Sequence, residues 1–215
     1  MKTLIRSVAV AMATVVAFAS WQAQAKTLDF TVYRDGSDIG THSYAISQHG
    51  DETLVEVTTD IQVKMLFITA YKFSHASKEV WKNGKLIQLN STTDDDGADK
   101  ALNVKSQGGQ LTADSMVQGQ DRRQTADANI VPASLWNKNI VTQTTVLNTL
   151  DGTLMNIKVE DLGADEVDAG GAKVSAKHYS ITGELTRELW FNGAGDLVRV
   201  RFPDKTGTEI VYALK

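Results

Sequence analysis

Cysteine is absent, which removes disulfide bridges, zinc–thiolate centres and a lipid-modified cysteine behind a leader from consideration. Proline occurs only at Pro132 and Pro203, and neither interrupts an alternating run. Clusters of Lys and Arg are also missing. Nucleic acid and anionic lipid headgroups are therefore disfavoured as main partners, because both need grouped positive charge. There is no G-x-S-x-G elbow, no Walker-type or dinucleotide glycine motif, and no H-x-H or H-E-x-x-H spacing. No catalytic residue, metal site or cofactor is expected from motifs, and an enzymatic role has no positive support.

The amino terminus carries a clear address. Lys2 and Arg6 form a positive start, Val8 to Ala19 an apolar and small run too short to cross a bilayer, and Ala23-Gln24-Ala25 an A-x-A cleavage site. A secretory signal peptide over residues 1–25 is expected, cut after Ala25, followed by one domain over 26–215 in the periplasm and no membrane span. Removing those 25 residues takes away two of the 22 basic residues and none of the 26 acidic ones, leaving 20 against 26, a net charge of −6. Without staples the domain relies on its core, and a chain of this length buries roughly 70% of its unfolded surface.

From Val55 to Phe73 the odd positions read Val, Val, Thr, Ile, Val, Met, Phe, Thr, Tyr, Phe, while Glu56, Thr58, Asp60, Gln62 and Lys64 alternate with the first of them. Period two with one apolar face is the signature of a half-buried antiparallel strand. The run is too long for one ordinary strand, so a bend or bulge is expected near Leu66–Thr69. Turn pairs recur at short intervals: Asp35-Gly36, His49-Gly50, Asn83-Gly84, Asp96-Gly97, Gly108-Gly109, Asp151-Gly152, Gly170-Gly171 and Asn192-Gly193. Such spacing predicts a mainly β, meandering domain. Residues 129–152 break the alternation, and Pro132 suits a helix start. One or two short helices are expected around 132–150, at Pro132–Asn137 and about Thr142–Leu150, with Ser134 as a cap.

EVWKNGKL (79–86) and ELWFNGAGDL (188–197) echo one another as a strand, a hairpin turn and a return strand. A duplicated β-layer and a coincidence of common hairpin chemistry stand level on the sequence. STTDDDG (91–97) looks like a calcium loop at first. Setting Gly97 as the required glycine, however, puts Thr92 at the first ligand position and Asn103 at the twelfth, so both anchoring ligands fail. A solvated hairpin tip is favoured over a weak surface cation site.

His42 alternates with Tyr44, and His75 with Tyr71 and Phe73, on the same parity as Glu79 and Trp81. Histidines on apolar strand faces serve as core residues, pocket walls or general bases. Large apolar residues, Phe67, Trp81, Trp136, Trp190 and Phe202 among them, either fill a core or wall a cavity beneath a short helix. His42, Tyr71, Phe73, His75, Trp81, Trp136 and Trp190 are the expected pocket residues, and a hydrophobic small molecule or lipid the expected ligand. The competing readings are an interaction module for another envelope protein and a hydrolase or isomerase acting on a hydrophobic substrate.

DGSDIGTHSY (35–44), EVWKNGKL, STTDDDG, PASLWN (132–137) and ELWFNGAGDLVRVRF (188–202) together resemble a family of exported proteobacterial proteins, a domain of unknown function. The resemblance implies an antiparallel spiral β-roll or half-open barrel with a short helical element. That shape is similar, at the level of fold, to the half-barrels of periplasmic lipoprotein carriers. No catalytic residues come with it.

Overall fold

The computed structural model describes residues 24–65 and 68–215. The signal-peptide expectation falls on residues 1–23, outside the described residues, and on Gln24 and Ala25, which open the first strand; Leu66 and Phe67 also lie outside. Eight strands come first: β1 (Gln24–Arg34), β2 (Ser37–His49), β3 (Glu52–Met65), β4 (Ile68–Lys82), β5 (Lys85–Asp95), β6 (Ala98–Gln107), β7 (Gln110–Val117) and β8 (Gln120–Asp127). Seven follow: β9 (Val131–Pro132), β10 (Thr145–Leu147), β11 (Leu154–Ala169), β12 (Ala172–Gly183), β13 (Arg187–Asn192), β14 (Leu197–Pro203) and β15 (Glu209–Leu214). All join one open sheet in the order β8-β7-β6-β5-β4-β3-β2-β1-β15-β14-β13-β12-β11-β10-β9. Every pairing is antiparallel except that of β9 with β10. The fold is the mainly β, half-open roll expected.

Two-residue hairpins set the register. Asp35-Gly36, Asn83-Gly84, Asp96-Gly97, Gly108-Gly109 and Gly170-Gly171 have both residues at positive φ, the geometry that matches strand twist. STTDDDG is such a tip: Asp94 Oδ1 accepts from the Gly97 N–H at 2.7 Å. A sixth turn of this kind, Gln118-Gly119, carries no turn-forming residue at its first position, and Gln118 is held at φ 49°. Asparagine occupies that conformation more readily. Gln118→Asn is therefore expected to add about 0.5 kcal/mol of stability, read as a higher urea midpoint with an unchanged slope.

The long alternating run is two strands rather than one bent strand. Met65 pairs with Ile68, so Val55–Met65 and Ile68–Phe73 lie antiparallel. No Gly, Pro, Asn or Asp marks this reversal. On β2, which pairs with the other edge of β3, Gly40 lies opposite Ile61 and has a structural duty. A side chain there would place Cβ 2.0 Å from the Asp60 carbonyl oxygen, so only glycine allows β2 and β3 to approach.

The odd positions of β3 and β4 face the concave side of the roll, where Val55, Val57, Trp81, Leu89, Val104 and Leu111 form one cluster with Ile181, Leu189 and Phe191 from the far half. Residues 129–152 cross this concavity and fill part of it. Ile130, Leu135, Ile140, Val146 and Leu147 belong to the same cluster, and the Ser91 hydroxyl donates to the Thr149 carbonyl at 2.6 Å.

The helical expectation for this segment is met in kind and corrected in place. Its one helix among the described residues is the 3-10 turn Lys138–Thr142, capped by Asn137, whose side chain accepts from the Asn139 N–H. Ser134 is therefore not the cap. The β-branched run after Thr142 extends as β10 and pairs with Leu154–Asn156, consistent with its poor helix propensity.

A bulge at Leu162 shifts the register of β11 against β12. One extra residue turns every later side chain to the other face. Val167 and Ala169 consequently bury on the outer side, against Ala176, Trp190 and Val198.

Candidate functional site

Cross-strand register places Phe30, His42, Thr59, His75, Thr93 and Lys100 in one rung across β1 to β6. Both histidines are buried and bonded alike. His42 Nδ1 lies 2.7 Å from Thr59 Oγ1, and His75 Nδ1 lies 2.8 Å from Thr93 Oγ1. Burial, helped by the neighbouring His75, pulls the His42 pKa down to about 3; burial pulls His75 down to about 4. Both rings are thus neutral at neutral pH, and His42 Nε2 has no hydrogen-bond partner among the described residues. Each histidine has a hydroxyl in reach, as nucleophile activation requires. Yet such weakly basic rings, with no carboxylate to orient them, are poor general bases. The arrangement suits recognition better than proton abstraction.

The next rung carries Tyr44, Val57, Ser77 and Ser91, and Tyr44 OH donates to the Ser134 carbonyl at 2.7 Å. Deeper still, Glu79 is wholly buried. Its Oε2 accepts from Trp81 Nε1 at 2.7 Å and from Trp136 Nε1 at 2.9 Å, with the two indoles perpendicular at 5.6 Å. Burial raises the Glu79 pKa, while Ser134 and the two indole N–H groups beside the carboxylate pull it down. Leu135 stands at φ 72° between Ser134 and Trp136, a conformation a branched side chain rarely adopts, and both neighbours turn toward Glu79. This centre is sealed. It fastens the crossing segment to β4 and offers no route to a substrate.

On the other side of the histidine rung the concave face stays partly open. Ile61, Val63, Tyr71, Phe73, Phe202 and Tyr212 are all half-buried there. An aromatic chain links the two halves of the roll: Phe202 to Tyr212 at 5.7 Å, Tyr212 to His42 at 5.0 Å, His42 to Tyr44 at 4.5 Å. At its end the Arg187 guanidinium lies 3.7 Å over the Phe202 ring, beside a cleft of about 330 Å³ lined by Ile181, Arg187 and Phe202 together with Glu188, Arg201 and Glu209. A larger depression of about 650 Å³ touches the rung residues Thr59, His75, Thr93 and Lys100 and is lined besides by Thr58, Asp60, Ala76, Thr92, Asp94 and Met116. These alternate with the rung residues and so occupy the outer face, where they are exposed or half-exposed. It lacks the apolar enclosure that holds a ligand.

Of the residues singled out from the sequence, His42, His75, Tyr71 and Phe73 meet at the open end, and Trp81 and Trp136 meet at Glu79. Trp190 stands apart on the outer face. It stacks on His178 at 4.0 Å and donates to Asp165 Oδ2 at 2.9 Å. The two echoed hairpins therefore point their tryptophans to opposite sides of the sheet. Glu79, Arg187 and Tyr212 are the partners that sequence reasoning did not select; the parity of Glu79 with His75 and Trp81 was the one available signal.

Among the described residues no three His, Asp or Glu side chains gather to hold a metal, and no helix is long and apolar enough to cross a membrane. The profile of a family described as a domain of unknown function (DUF6134) matches residues 30–215. No curated protein matches the chain.

Proposed function

Since the chain belongs to the DUF6134 family, a domain of unknown function, we propose its role from the geometry: the open end of the roll binds a hydrophobic small molecule or lipid. The carrying observation is the division of the concave face. Residues 129–152 fill one end of it, whereas Ile61, Val63, Tyr71, Phe73, Phe202 and Tyr212 remain half-exposed at the other. Clustered apolar side chains left partly in water are uncovered area that a ligand can remove, at about 25 cal/mol per Å². Buried neutral histidines and threonine hydroxyls at the inner limit supply a few polar contacts, the usual composition of a ligand site. The first 25 residues favour action in the periplasm after export, where a carrier or sensor of envelope lipids has its substrate at hand.

Native mass spectrometry of protein released by mild, detergent-free extraction tests the reading. A bound lipid mass is expected, and Phe73→Asp, which puts a charge into the apolar mouth, is expected to lower occupancy roughly tenfold. A protein that emerges empty and takes up no added lipid would overturn it.

A further inference from the structure

Asn-Gly occurs twice in the chain, at Asn83-Gly84 and Asn192-Gly193, and the fold treats the two pairs oppositely. Asn83-Gly84 is the exposed turn between β4 and β5, with φ at 50° and 74°. The Asn83 N–H donates to the Asp51 carbonyl at 2.9 Å, but the exposed carboxamide makes no hydrogen bond among the described residues. A Cβ built on Gly84 would meet nothing within 4 Å, so the space around its amide nitrogen is open.

Asn192 is held fast. Its Oδ1 accepts from the Ala194 and Asp196 N–H groups, both at 2.9 Å, and its Nδ2 donates to Asp196 Oδ2 at 3.3 Å. That aspartate is itself paired with Lys26. The carboxamide is part of the turn, and rotating it breaks all three hydrogen bonds.

Glycine has the least hindered amide nitrogen in a chain, and the Asn Cγ before it is one rotation from closing a five-membered ring. We infer that Asn83 is a site of spontaneous covalent modification and that the bonds of Asn192 protect it from the same reaction. The Gly84 amide nitrogen loses its proton to solvent and bonds to Asn83 Cγ. The Cγ–Nδ2 bond breaks, and the nitrogen leaves as ammonia with a proton from water. Water then opens the cyclic imide at either carbonyl, giving aspartate or isoaspartate with no oxidant or reductant involved.

The two products differ in what they do to the fold. Aspartate keeps the main chain as it was, and Asp35-Gly36 and Asp96-Gly97 already make such turns with both residues at positive φ. Isoaspartate routes the main chain through Cβ and Cγ, adding a backbone atom to a two-residue turn. The facing pairs Lys82 with Lys85 and Trp81 with Leu86 are then displaced. β4 is also the strand that presents Glu79 and Trp81 to the crossing segment.

Chymotryptic mapping of the whole protein, held folded and in urea in mildly alkaline buffer, is the test. In the folded protein Asn83 is expected to convert at least about tenfold faster than Asn192. In urea, where both turns are lost, the two should convert at like rates. An intact Asn83, or equal rates in the folded protein, would overturn the inference. A difference that persists undiminished in urea would assign it to the flanking residues and remove the protective role of the turn. Asn83→Asp is expected to keep the native urea midpoint, and the isoaspartyl form, marked by enzymatic methylation, to show a lower one. The reverse order would overturn the account of the two products.

Discussion

Lowering the pH from 7 to 5 is expected to cost the fold about 4 kcal/mol through His42 and His75. In the unfolded chain an imidazole takes up a proton near pH 6.5. In the roll the same groups resist until about 3 and about 4, because the charged ring would sit in the concave interior with a threonine hydroxyl as its only hydrogen-bond partner among the described residues and another histidine nearby. Below pH 6.5 the unfolded chain therefore binds more protons than the folded one, and stability falls with pH. The contribution is fully present above 6.5 and drains away down to the folded values. At pH 5 each histidine has given up about 1.5 pH units of it, or about 2 kcal/mol. Glu79 acts with the opposite sign: its pKa is raised, so acid relieves its burial. Urea denaturation at pH 7, 6 and 5, for the protein and for the double variant His42→Gln/His75→Gln, isolates the histidines because Glu79 is common to both. The variant should show about 4 kcal/mol less pH dependence. An unchanged slope would refute the burial of two neutral rings.

Glu79→Leu should be the most damaging conservative-volume change in the interior, at about 3–5 kcal/mol. The carboxylate is the acceptor for two indole N–H groups, one of them on Trp81, which is 3% exposed. Leucine fills the space but leaves both donors unpaired, that of the buried Trp81 away from water. It also unfastens Trp136, and with it the crossing segment. Glu79→Gln keeps an acceptor oxygen and should cost only about 1 kcal/mol. Equilibrium unfolding of the two variants gives the comparison, and near-equal losses would show that side-chain volume, not the acceptor, is what matters at this position.

Much of the roll was legible in single residues. Alternation from Val55 named the concave face of β3, and the Asp-Gly, Asn-Gly and Gly-Gly pairs named most hairpins, because turns with positive φ admit few residue types. The reversal between Met65 and Ile68 was not legible, since none of those residue types marks it. Gln118-Gly119 hid because its first residue is not a turn former. Trp190, expected in a pocket as one of the large apolar residues, faces outward instead, and since Leu189-Trp190-Phe191 is apolar on both faces, alternation there selects no side. The meetings of Glu79 with Trp136 and of Arg187 with Phe202 depend on how distant strands register and on where residues 129–152 come to rest. One-dimensional periodicity contains neither.

The placement of β1 beside β15 in the middle of the sheet has a kinetic consequence. Neighbouring hairpins such as β3–β4 close over short loops, but β1 waits for β15, and Phe30 meets Leu214 only after every strand between them exists. Such long-range closure is slow. Until it happens, the edge of β1 presents unpaired N–H and C=O groups beside Phe30 and Val32, both fully buried in the finished roll. A nascent chain in that condition is a template for strand addition by its neighbours, so the step that joins the two half-sheets is also the one at which the protein is most exposed to aggregation.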